Sequence, residues 1–128
     1  MKILFLDDNK HRHRAVTGHM TFDAVFTASE CIYKLEKNKY DFVFLDHDLN
    51  DQEMVNSFTE EETGYTVAKW ISENKPEIGL IIVHSLNPAG SENMASLLKA
   101  SGYFVTKIPF LSLVSSISEI LKWEKPID

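Results

Sequence analysis

Residues 3–8 read Ile3-Leu4-Phe5-Leu6-Asp7-Asp8, four apolar residues followed by two acids. A second stretch of this kind is Phe42-Val43-Phe44-Leu45-Asp46, in which a short apolar run again stops at an acid. Strands that are apolar throughout are typical of a parallel sheet, because helices cover both faces of such a sheet. The two stretches therefore favour an α/β fold with strands that end at acidic residues.

Apolar segments of strand length alternate along the chain with segments of helical period, which predicts repeated βα units. Ser29 and Asn87 are the predicted caps of two helices, and Pro88 lies in a first helical turn. Residues 49–63 are polar and acidic, and we expect a long loop there. The predicted strands are 3–6, 24–28, 42–45, 80–83 and 103–108, and the predicted helices are 11–20, 30–38, 66–73, 88–100 and 111–124. The predicted fold is a three-layer, doubly wound (βα)5 domain that spans residues 1–128.

Length, charge and cysteine content narrow the class of protein. A chain of 128 residues fits one domain. Its net charge of −6 disfavours general binding to nucleic acid. The single cysteine, Cys31, cannot form an intramolecular disulfide, which favours a reducing compartment. No signal peptide or stretch of ~20 apolar residues is present, so we expect a cytoplasmic protein that does not bind membranes.

Polar side chains follow the predicted strands at the edge where a doubly wound sheet places its functional site. Crowded carboxylates at this edge suit a hard cation such as Mg²⁺. A hydroxyl and an ammonium group beside that ion suit the charge of a phosphoryl group. The residues expected to converge are Asp7, Asp8, Asp46, His47, Asp48, His84, Ser85 and Lys107.

These residues, in this order, resemble the receiver domain of bacterial response regulators over essentially the whole chain. The resemblance implies a flavodoxin-like fold, a Mg²⁺ ion bound by Asp7, Asp8 and Asp46, and phosphorylation of Asp46. It also assigns four further roles: a metal-binding backbone carbonyl at Asp48, a hydroxyl at Ser85, a lysine at Lys107 and a switch aromatic at Phe104.

The sequence departs from that pattern in ways that point to one branch of the family. The residue after the phosphoacceptor and the residue before the hydroxyl are usually apolar, yet here they are His47 and His84. Ile108 separates Lys107 from Pro109, and the loop after Asp48 is long. The segments 45–49, 63–65 and 83–88 resemble the cyclic-phosphate processing receiver domain, and this resemblance implies chemistry on a cyclic phosphate rather than signalling.

Two functions follow, from different classes. The first is Mg²⁺-dependent hydrolysis of a cyclic phosphate or related ester, whose substrate is a small molecule, a nucleotide or an RNA end. Asp46 would be a nucleophile or only a metal ligand, and His47, Asp48 or His84 would move protons, while Ser85 and Lys107 would bind phosphate oxygens. The alternative is a single-domain response regulator that a histidine kinase phosphorylates on Asp46. A degenerate receiver that serves as a binding scaffold is a third possibility.

Several features have two interpretations. His47 and His84 either take part in chemistry or pack under loops. His11, Arg12, His13 and Arg14 form either a charged helix face or part of the pocket, and helical geometry lets at most one of the two arginines face it. The acidic loop is either a lid or a solvated connection.

Overall fold

The computed structural model describes residues 1–49 and 63–127, in which five strands alternate with five helices. Of the predicted loop at 49–63, residues 50–62 lie outside the described residues. The strands are β1 (Ile3–Leu6), β2 (Asp23–Val25), β3 (Tyr40–Leu45), β4 (Ile78–Val83) and β5 (Phe104–Lys107). The helices are α1 (Lys10–Thr17), α2 (Ala28–Lys37), α3 (Gly64–Asn74), α4 (Pro88–Ala100) and α5 (Phe110–Ile120).

The strands form one sheet in the order β2-β1-β3-β4-β5, and every neighbouring pair is parallel. The chain runs outward from β1 to β2 and then returns to place β3 on the other side of β1. The strand order therefore reverses between β1 and β3, which is where sheets of this kind bind their ligands. The predicted doubly wound architecture is confirmed.

The core is divided by the sheet into two layers, because successive strand residues point to opposite faces. In β1, Leu4 and Leu6 join a cluster with α2, α3 and α4, while Ile3 and Phe5 join a cluster with α1 and α5. All four side chains are buried. Apolar residues at every position of β1 are thus explained by helices on both faces of the sheet. Among the described residues, no helix is both long and apolar enough to cross a membrane.

The observed first residues of α2 and α4 can be compared with the predicted helix caps. Asn87 caps α4 as expected, since its side chain accepts a hydrogen bond from the backbone of Gly90 at 2.9 Å, with Pro88 in the first turn. The predicted cap of α2 was wrong: Thr27, not Ser29, accepts from the backbone of Glu30, whose carboxylate accepts in turn from the Thr27 backbone. This reciprocal pair adds a second hydrogen bond that Ser29 could not supply.

Gly64, the first residue of α3, holds the end of β3 against that helix. Its backbone N–H donates to the carbonyl of His47 at 2.8 Å. A Cβ atom at this position would lie 1.9 Å from the carbonyl oxygen of Asp46. The approach of α3 to the residues that follow β3 therefore requires glycine here.

Replacing Gly64 with alanine should lower the free energy of unfolding by about 2–4 kcal/mol, because backbone must move to admit the methyl group. The matched control is Gly18→Ala, at a site where φ is −79° and an added Cβ meets nothing within 4 Å. That change should leave stability within about 0.5 kcal/mol or raise it slightly. Urea unfolding of both variants measures the difference, and equal stabilities would contradict the close approach.

Candidate functional site

The register of the sheet places Asp7, Asp46 and His84 side by side. Leu6 pairs with Leu45, and Leu45 pairs with Val83, so these three residues are the next positions on β1, β3 and β4. Backbone hydrogen bonds extend the ladder to them, from Asp46 N–H to Leu6 at 3.2 Å and from His84 N–H to Leu45 at 3.0 Å. By the alternation of the strands they point to the face covered by α1 and α5.

Asp7, Asp46 and His84 offer three ligand atoms that lie within 4.8 Å of one another, and all three residues are buried. The Nε2–H of His84 donates to Oδ2 of Asp7 at 3.0 Å, since a carboxylate can only accept. The other oxygen of Asp7 accepts from the backbone N–H of Asn9 at 2.9 Å. The orientation of the Asp7 carboxylate is therefore fixed from both sides.

The two carboxyl groups differ in how readily they hold a proton. Burial and the neighbouring charge of Asp7 raise the pKa of Asp46 to about 7. Burial alone would also raise the pKa of Asp7, but the hydrogen bonds from His84 and Asn9 and the charge of Arg12 outweigh it and hold that pKa below its ordinary value. Burial lowers the pKa of His84, so a neutral imidazole is favoured. Of the two carboxyl groups, Asp46 is therefore the one whose negative charge the cluster disfavours.

Arg12 of α1 is the cation that faces the two acids. Its Nη1 atom lies 3.4 Å from Oδ2 of Asp7 and 3.5 Å from Oδ2 of Asp46. The guanidinium also lies over the ring of Phe110, 5.0 Å from its centroid. Arg14, two residues on, is exposed. Arg12 therefore faces the site and Arg14 faces solvent, in keeping with the expectation that at most one of the two arginines faces the pocket.

His13 is not part of a charged helix face, because it is buried under the site. Its Nε2–H donates to the backbone carbonyl of Asp7 at 2.7 Å, and its ring stacks on Phe26 at 4.1 Å. The ring also meets the edge of Phe5, whose face stacks on His84 at 4.9 Å. The contacts of His13 and Phe5 hold the backbone of Asp7 and the ring of His84 in place.

His47 and Asp48 lie on the other face of the sheet, beside α3 and α4. Nδ1 of His47 donates to Oδ1 of Asp48 at 2.9 Å, and Asn87 donates to the same oxygen at 3.4 Å. The His47 ring packs so closely on α4 that a Cβ added to Gly90 would lie 2.5 Å from its Cγ. Among the described residues, His47, Thr63 and Tyr65 line one side of an open cleft of about 790 Å³.

Ser85 and Lys107 also lie toward α4. The Ser85 hydroxyl accepts from the backbone N–H of Asn87 at 3.0 Å, which leaves its own proton to donate. Lys107 pairs in register with Val83, so its side chain leaves the sheet on the α4 side and binds Glu92. The predicted site is thus divided into two groups, one on each side of the sheet edge: Asp7, Asp46 and His84, and His47, Asp48, Ser85 and Lys107.

The donor set fits a divalent cation. Two buried carboxylates converge, and the raised pKa of Asp46 shows that the cluster favours added positive charge. Asp8 was predicted to be a third ligand. It is partly buried, and its charge contributes to the raised pKa of Asp46. Its role as a ligand stays a prediction. Of the three predicted ligands, Asp7 and Asp46 are the two whose buried oxygens converge and would hold the ion.

Four residues of the site were not assigned from the sequence: Arg12 as the cation beside Asp46, Glu92 as the partner of Lys107, Asn87 as a donor to Asp48, and Gly90 as the seat of His47. For Arg12 the sequence indicated only that at most one of the two arginines could face the pocket, and for Glu92 it gave no signal. Asn87, Pro88 and Gly90 mark a helix start, and a helix that starts at the carboxyl edge of the sheet must lie near the strand ends.

Fold and site together define a receiver-type domain with an acidic cluster. The model of the cyclic-phosphate processing receiver domain matches residues 2–100, and the chain belongs to this family. No curated protein matches the sequence significantly.

Solved structures of response-regulator domains share the fold. TrrA from Thermotoga maritima, solved in complex with Mg²⁺-BeF, is 18% identical with a TM-score of 0.67, over 94% of this chain and 96% of its own. A response regulator from Colwellia psychrerythraea is 15% identical with a TM-score of 0.66, over the same shares. A Francisella receiver domain is 18% identical with a TM-score of 0.61, again over 94% and 96%. At these identities the similarity shows the fold alone.

Asp46→Asn should stabilise the protein by about 1–3 kcal/mol at pH 8 in metal-free buffer. Burial and the charge of Asp7 raise the pKa of Asp46 to about 7 in the folded chain, against an ordinary value of 3.8. The folded state therefore holds this proton more tightly, and stability falls as the pH rises between these values. At pH 8 the full cost is present, and asparagine removes it.

Urea unfolding with EDTA measures this difference, with the exposed Glu36→Gln as a control that removes one charge far from the cluster. The control should change stability by less than about 0.5 kcal/mol. A variant Asp46→Asn that is less stable than the wild type would show that the carboxylates are not in conflict.

Proposed function

We propose that this protein hydrolyses a cyclic phosphate, or a closely related phosphate ester, at the edge formed by Asp46 and His47. The observation that carries the proposal is the pair His47–Asp48, which is joined at 2.9 Å directly after Asp46. A carboxylate that fixes an imidazole is a common acid–base arrangement, and a phosphoaccepting switch does not need one. The family description, which names cyclic-phosphate processing, supports the same chemistry.

His47 would move the protons of the reaction. Because Nδ1–H donates to Asp48, the lone pair of the neutral ring is on Nε2, which can take a proton from an attacking water. The phosphorus–oxygen bond to one ester oxygen then breaks, and the departing alkoxide takes the proton from Nε2–H. One water is added, and a cyclic diester becomes a linear monoester with the imidazole neutral again. In an alternative first step, Asp46 is itself the nucleophile.

The remaining residues would bind phosphate and metal. A divalent ion held by Asp7 and Asp46, Mg²⁺ in our proposal, supplies positive charge for the phosphoryl oxygens. The Ser85 hydroxyl can donate to one of those oxygens. Lys107 can donate to another after it leaves Glu92, a partner that is itself exposed. His84 is fully buried and bonded to Asp7, so it positions that carboxylate rather than meeting substrate.

The substrate would be a small phosphate compound, a nucleotide or an RNA end. The net charge of −6 opposes a long phosphate backbone but not one terminal phosphate group. The open cleft beside His47 gives the non-phosphate part of such a substrate a place to lie.

His47→Asn should lower turnover of the preferred cyclic phosphate by about 10²–10⁴-fold, the usual contribution of an acid–base group. Asp48→Asn should lower it less, since the imidazole stays in place. The measurement is ³¹P NMR with Mg²⁺ and a panel of 2′,3′-cyclic and 3′,5′-cyclic nucleotides, linear monoesters and acetyl phosphate. His19→Asn, at an exposed histidine, is the matched control and should keep full activity. Unchanged turnover in both site variants would rule out the proposed role of the pair.

The second candidate is a single-domain response regulator that is phosphorylated on Asp46 by a histidine kinase. The similarity of the fold to response-regulator domains favours it. In that case acetyl phosphate would be the only compound of the panel to be consumed. Its phosphoryl group would remain bound to the wild-type protein but not to Asp46→Asn. Hydrolysis of a cyclic compound would decide for the enzyme instead.

A further inference from the structure

The guanidinium of Arg12 lies beside the two carboxylates that would bind a metal ion. Its Nη1 atom is 3.4 Å from Asp7 and 3.5 Å from Asp46, and it approaches the same Oδ2 atom of Asp7 that accepts from His84. An ion bound by both carboxylates would lie about 2.0–2.6 Å from their oxygens. A guanidinium and a divalent ion in one gap of this size would repel each other strongly.

The contacts of Arg12 are of the kind that can be exchanged. Charge-assisted N–H···O hydrogen bonds are usually about 2.7–2.9 Å long, so separations of 3.4 and 3.5 Å mark loose ion pairs. The side chain is 23% exposed, and the face of Phe110 gives the guanidinium a second contact outside the carboxylate pair. It can leave the two acids without leaving the site.

The lysine of β5 does not compete for this position. Lys107 lies on the opposite side of the sheet edge and is paired with Glu92. Arg12 is therefore the basic side chain that the structure pairs with Asp46, and it neutralises part of the charge that Asp46 and Asp7 share.

We propose that Arg12 is a resident cation of the site, and that a divalent metal ion binds Asp7 and Asp46 only by displacing its guanidinium. This inference rests on the metal dependence in the proposed function. Arg12 would then set the metal affinity of the site, because the metal ion binds only at concentrations at which it outcompetes the guanidinium. The exchanged guanidinium stays near Phe110, beside the ion rather than in its place.

The test is the affinity for Mn²⁺, read from the free-ion EPR signal, with Mg²⁺ as competitor. Arg12→Gln keeps most of the side-chain length but removes the charge, and should tighten Mn²⁺ binding about tenfold or more. Arg14→Gln removes the same charge from the exposed side of the same helix and should change the affinity less than about twofold. A mere loss of packing at position 12 would weaken binding, so the direction of the effect separates exchange from structural damage.

A second measurement uses the wild-type protein alone. The chain contains only two arginines, Arg12 and Arg14, so the Nε–Hε region of a ¹⁵N spectrum holds two arginine signals. On addition of diamagnetic Mg²⁺, the Arg12 signal should move and the Arg14 signal should stay. An Arg12 signal that is unmoved at saturating Mg²⁺ would overturn the exchange.

The outcomes separate this inference from the proposed function. If wild type, Arg12→Gln and Arg14→Gln bind Mn²⁺ equally, the exchange is wrong and the metal site stands. If none of the three binds Mn²⁺ or Mg²⁺, both the exchange and the metal dependence of the proposed function are wrong.

Discussion

Two buried carboxylates at adjacent strand ends, Asp7 and Asp46, are the constraint around which the site is arranged. Each directly follows an inner strand where the strand order reverses, and its backbone N–H extends the ladder, so neither can move away from the other without breaking those hydrogen bonds. The cost of bringing them together is offset by groups from three other elements. His84 donates from the end of β4, Arg12 approaches from α1, and Asn9 donates from the turn before that helix. A cluster this unfavourable by itself persists because the sheet imposes it.

The fold could be predicted almost entirely from the sequence, since the apolar strands, their number and their alternation with helices are local properties of the chain. The boundaries of β1 and the cap and first turn of α4 were predicted to the residue. The cap of α2 was not, because Ser29 and Thr27 are equally good caps by composition, and Glu30 decides between them through a contact that only the folded turn makes.

The site was less predictable, for a geometric reason. The sequence shows which residues end the strands, but the face to which each one points depends on the register between strands. Lys107 pairs with Val83, one residue short of the level of His84, and this single step sends it to the opposite face from Asp46. The direction of Arg12 depends on the rotation of α1, which is fixed by the burial of His13 and Val16. Because histidine is counted as a polar residue, His13 did not indicate from the sequence which face of α1 is buried.

The peptide Asp46-His47 gives this site a property that an apolar residue after the acid could not. Neighbouring strand residues point to opposite faces, so the carboxylate turns toward α1 and α5 while the imidazole turns toward α3 and α4. Their Cα atoms are only about 3.8 Å apart, and both stand at the open edge of the sheet. The His47 ring is held by Asp48 on one side and by Gly90 of α4 on the other. Our proposal requires a phosphate bound at this edge to reach both Asp46 and His47. In our proposal, an acid and an oriented base presented together in this way favour hydrolysis over phosphoacceptance.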